Sequence, residues 1–213
     1  MRDAASPPLY GADRTLGRSL GPALGRTLKI VVVLLLFGLT AWVGIEVTRG
    51  SSRIAALWLP NAILVAALLR SHPRIHRALL AACLVINLGV NSMLGDDPGA
   101  ALFLSVFNTI EVLIVIGLLR RYAGERPVDV RLLPDLFALA KTGVVAALVS
   151  GVFAAFRFGT DPASALAAMI NWTAVDALGL LIVTPTVLIF HDAAVRSARF
   201  GRSQRLRLGE TLA

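Results

Sequence analysis

The chain has 213 residues, of which 56% are hydrophobic and 16% charged. Soluble domains sit near about 45–50% apolar, so this composition excludes an ordinary water-soluble enzyme and points to a membrane protein. The formal net charge of +8 would suit nucleic acid or an anionic surface, but the order of the basic residues along the chain assigns it otherwise.

Residues 1–27 hold Pro7, Pro8, Pro22, four glycines and four arginines, and read as a flexible basic cytoplasmic tail. Gly17, Gly21 and Gly25 imitate a helix-dimer spacing, but Pro22 and the flanking arginines argue against a membrane helix there. Six apolar runs follow, at 28–47, 54–69, 77–94, 100–119, 133–156 and 163–190. A helix needs roughly 20 residues to cross the hydrocarbon core. Lipid offers no partners for backbone amides, so runs of this kind must be helical. The fold class expected is an all-α bundle of about six transmembrane helices over 28–190, lying in the lipid bilayer. The second run is the shortest, and Pro60 fits a first turn or a kink. Pro185 should end or bend the sixth. Residues 191–213 form a second basic tail, the opening of a further helix or the cut end of a longer chain.

Of 21 lysines and arginines, 17 fall in the two tails and in the second and fourth connections. The opposite side holds Arg49, Arg53 and Arg157, and Lys141 lies within the fifth run. This bias places both termini in the cytoplasm, N-in and C-in, and accounts for the net charge without nucleic acid. The outer connections are short, so a stimulus must be read within the membrane or at its outer face. Cys83 is the single cysteine and has no internal disulfide partner.

Asp176 lies near the middle of the sixth run, and Glu111 near the middle of the fourth. Ionisable groups at that depth are costly and mark function by default. Asn108 shares a helix face with Glu111, and Trp172 shares one with Asp176. Asn171 lies one residue round from that face. Asn61 follows Trp58 and Pro60 near the outer end of the second run, and Asn87 and Asn91 lie four apart on the third. These residues could line one polar pocket opening to the outer side. The plainer alternative is interhelical glue, at about 0.6 kcal/mol for each hydrogen bond. If the two acids meet, they share a proton and could respond to pH, a cation or a polar ligand. Gly143, Ala147, Gly151 and Ala155 form a small-residue packing ridge on the fifth run, and Gly179 serves the same end. His72 and His76 read as a solvated cytoplasmic loop. His191 and Asp192 cap or snorkel at the inner surface, and Glu46 pairs with Arg49 at the outer one. No metal-ligand spacing, nucleotide loop or catalytic triad is present, so no cofactor, metal or enzymatic activity is expected.

Three stretches in this order carry a family resemblance: Leu57-Trp58-Leu59-Pro60-Asn61-Ala62-Ile63; Asn108 with Glu111; and Trp172, Asp176, Ala177, Leu178 and Gly179 followed by Thr184-Pro185. Over residues 30–190 they resemble the first membrane-associated sensor (MASE) domains of bacterial histidine kinases, diguanylate cyclases and cyclic-di-GMP phosphodiesterases. The resemblance implies a non-catalytic sensory input module in the bacterial inner membrane. It also implies a cytoplasmic output domain or partner protein, with a homodimer as a further option. Family members are usually longer than this chain, which would then be a fragment or a short member needing a partner. Two other readings of six helices with midplane polar groups are a small transporter, favoured by broken helices and an internal repeat, and a scaffold that only anchors a partner.

Overall fold

The computed structural model describes the backbone of residues 13–48, 58–124 and 126–211, and side chains within 24–46, 58–124 and 126–197. Six α-helices account for nearly all of it: α1 (Asp13–Thr48), α2 (Pro60–Arg70), α3 (His76–Met93), α4 (Pro98–Ala123), α5 (Leu133–Phe158) and α6 (Pro162–Thr211). A single 3₁₀ turn, Pro73–Ile75, leads into α3. No strand occurs among the described residues.

Five stretches are long and apolar enough to cross a bilayer: Leu24–Glu46, Pro73–Met93, Pro98–Ala123, Leu133–Phe158 and Pro162–Ser197. Many of their large apolar side chains stay exposed, among them Leu28, Leu35 and Leu39 of α1 and Val145, Phe153 and Phe156 of α5. In water such patches would drive aggregation; in a bilayer they face acyl chains.

The second run departs from expectation. Its helix covers 11 residues, about 16 Å, or half the hydrocarbon core. Residues 54–57 of that run lie outside the described residues. Pro60 occupies the first turn, where its missing N–H costs nothing. Eight of the 11 residues are buried, because α2 is enclosed by α1, α4 and α6 rather than by lipid. Its C-terminal Arg70 reaches Asp192 and the carbonyl of Val128, both on the arginine-rich side. The N-terminus of α2 therefore lies near the bilayer midplane.

Other boundaries also move. Helix α1 begins at Asp13, inside the stretch read as a flexible tail, and carries Pro22 in its first turns, although its apolar span starts only at Leu24. Pro185 does not end the sixth helix, which continues to Thr211. Proline removes one N–H from the ladder, and a long helix tolerates that inside a bundle. The inner tail thus opens as a continuation of α6 as far as Thr211. His76 is buried rather than solvated: its Nε2 lies 3.2 Å from the Ser71 carbonyl and its Nδ1 2.8 Å from Arg120 Nη2. Arg49, the expected partner of Glu46, lies outside the described residues.

The small-residue ridge of α5 packs on α6, as its spacing implies. A Cβ on Gly151 would collide with Thr173 Oγ1 and stand 2.9 Å from the Met169 carbonyl. A Cβ on Gly143 would only touch Leu180, at 3.4 Å.

Candidate functional site

Glu111 is the fourteenth residue of α4, about 20 Å from the helix start, and is 0% exposed. Its carboxyl lies against the side chains of Asp176 on α6, Asn61 on α2 and Ser150 on α5. Asp176, 4% exposed, lies against Glu111 and Trp172. Four helices thus converge on one polar layer at mid-membrane depth.

Hydrogen bonds organise the edges of this layer. Asn61 Nδ2 donates to Asn108 Oδ1 at 3.0 Å, tying α2 to α4. Trp172 Nε1 donates to Ser150 Oγ at 3.1 Å, tying α6 to α5. About two turns further inward on α6, Thr184 Oγ1 donates to the Ala62 carbonyl at 3.2 Å. Phe158 stacks on Trp172 with ring centroids 6.2 Å apart, closing the outer side.

The carboxyls stay unsatisfied within this frame. With both acids ionised, neither Glu111 Oε1 nor Oε2 nor Asp176 Oδ2 has a hydrogen-bond donor among the described residues; a proton held between the carboxyls would let one donate to the other. Among the described residues, no lysine or arginine stands among the contacts of either acid. Leaving one buried polar atom unpaired costs about 1–3 kcal/mol, so simple glue is a poor account of these two groups. The positive end of α2 adds to the setting, since Leu59 offers no side-chain cap to its first amides.

The close approach of α2 to α6 needs Gly179. A Cβ there would collide with the Trp58 carbonyl oxygen, two residues before α2. Trp58 is itself buried, and its Nε1 lacks a partner.

Of the residues singled out in the sequence, Glu111, Asp176, Asn61, Asn108 and Trp172 are buried, and all belong to this layer. Asn87 and Asn91 are buried too, but they bond each other on α3: Asn91 Nδ2 donates to Asn87 Oδ1 and to the Asn87 carbonyl, both at 2.8 Å. Asn171 is exposed, one helical step away from the buried face of α6. Every member of the layer is at most 6% exposed. Ser150 was missed. It sits beside the glycine–alanine ridge of α5, and a hydroxyl in such a ridge was the available signal.

Fold and site together define a polytopic helical membrane protein built around a buried acid pair. A family model, MASE1, matches residues 29–208, and the chain belongs to this membrane-associated sensor domain family. It is a multi-pass inner-membrane protein. No curated protein and no solved structure matches the chain.

Proposed function

We propose that this membrane sensor domain reads its stimulus at the Glu111–Asp176 layer and relays it through α6 to a cytoplasmic output, a histidine kinase or a cyclic-di-GMP enzyme, fused or separate. The observation that carries the reading is the pair of facing, fully buried carboxyls with no donor for their ionised forms among the described residues. A ligand or ion supplying those missing partners would bind one packing of the four helices better than another, and such differential affinity is what biases a two-state element. Helix α6 carries Asp176 at mid-membrane and continues to Thr211 beyond the apolar span, so a shift at the acid has a continuous path inward.

The test is signalling by the full reading frame with Glu111→Gln and Asp176→Asn. Altered output at normal expression is expected from either variant. Wild-type output from both would remove the acids from the mechanism.

One observation favours a transporter as the second reading: α2 is a half-length helix whose N-terminus ends near the midplane beside polar groups, as in carriers with discontinuous helices. Solute uptake by proteoliposomes, lost in the same variants, would support it.

A further inference from the structure

At the inner end of the bundle a cavity of about 470 Å³ opens between the end of α2, the end of α4 and the connection after α4. That volume lies in the range of small-ligand sites, roughly 300–1,000 Å³. Its walls are apolar at Leu68, Leu119 and Val128, with Arg120 and Arg126 among them. We infer that this cavity binds the headgroup of an anionic glycerophospholipid, a phosphodiester without a balancing amine.

Charge bookkeeping selects that occupant. Arg126 is already neutralised by Asp135, with Nη1–Oδ2 and Nη2–Oδ1 both at 2.6 Å. Arg70, adjoining the wall, is neutralised by Asp192. Arg120 is the remainder. Among the described residues its guanidinium bonds His76 Nδ1 and has no carboxylate partner. Since a guanidinium only donates, His76 Nδ1 is the acceptor and its Nε2–H donates to the Ser71 carbonyl. The histidine in this tautomer is neutral, so among the described residues Arg120 leaves one uncompensated positive charge in the wall. A phosphodiester carries one negative charge.

Depth and rigidity agree. The cavity lies on the arginine-rich side, where basic pockets between membrane helices meet anionic headgroups. Tyr122, exposed beside it with Arg126 Cζ 5.3 Å from its ring centroid, is an interfacial residue. The wall formed by residues 126–129 is held in place, because Asp135 also accepts from the Asp129 amide at 2.8 Å. The apolar lining suits the glycerol and first acyl carbons, whereas free phosphate would leave it wet.

The test is native mass spectrometry of the full chain released from nanodiscs of mixed phosphatidylglycerol and phosphatidylcholine, with Arg120→Gln, Arg120→Lys and Arg121→Gln alongside. Glutamine can still donate to His76, so it removes the charge and keeps the hydrogen bond. The wild type and Arg121→Gln should retain phosphatidylglycerol over phosphatidylcholine. Arg120→Gln should lower that preference roughly fivefold, and Arg120→Lys should restore most of it. Millimolar inorganic phosphate should not displace the lipid. Equal retention of the two lipids by the wild type, full preference in Arg120→Gln, or displacement by phosphate would each overturn the inference.

Discussion

Arg70 and Asp192, 122 residues apart in sequence, form a two-pronged pair at the inner surface: Nε to Oδ1 and Nη2 to Oδ2, each 2.8 Å. The pair fastens the C-terminus of α2 to the stretch of α6 that leaves the bilayer. Helix α2 carries Asn61, which faces Glu111, at its other end. One short rod therefore joins the buried polar layer to the exit of α6.

Breaking that fastening should loosen the inner half of the bundle. Arg70→Ala and Asp192→Asn should each destabilise by about 1.5–3 kcal/mol, the range for hydrogen bonds to charged groups, and the double variant should cost less than the sum. Thermal unfolding in nanodiscs measures this. Additive losses would show that the two side chains act separately.

Two glycines should behave oppositely. Gly179→Ala drives a methyl into the Trp58 carbonyl oxygen and should cost about 1–3 kcal/mol or prevent folding. Gly89→Ala on α3 meets nothing within 4 Å and should be neutral or slightly stabilising. Expression and unfolding temperature of the two variants decide it. Equal behaviour would contradict the packing of the Trp58 segment on α6.

The start of α6 supplies a pH prediction. Asp161 Oδ1 accepts from the amides of Ala163 and Ser164, at 2.9 and 3.1 Å. The hydrogen bond from the Ser164 amide is the chief reason its carboxyl lies below the usual aspartate range. Because the folded value is lowered, the cap's contribution is complete above the unfolded value of about 3.9 and is lost as pH falls through the folded one. Hydrogen-exchange protection at Ser164 should be flat near neutrality and drop in acid. Asp161→Asn should abolish the drop, since an amide caps without titrating. A wild-type profile that stays flat into acid would refute the assignment.

The membrane spans were legible because lipid imposes a simple rule on length and composition, and five of the six runs became full-length helices. The second run misled because apolar content alone does not separate a lipid-facing span from a half-length helix buried among others; Leu64, Val65 and Leu68 would read alike in either place. The acids were legible as individuals, since charge at depth is rare. Their meeting was not, because Glu111 and Asp176 lie on helices whose rotation depends on packing, and that packing runs through Gly151 and Gly179. Asn171 shows the same limit at one-residue scale: a single step round α6 takes it out of the buried face.

Glu111 and Asp176 lie against each other and should act as one site. A double-mutant cycle of unfolding free energy in nanodiscs, with Glu111→Ala, Asp176→Ala and the double variant, tests that directly. Contact predicts a coupling of about 0.5–3 kcal/mol, of either sign. Additivity within about 0.3–0.5 kcal/mol would mean that the two carboxyls do not share a site.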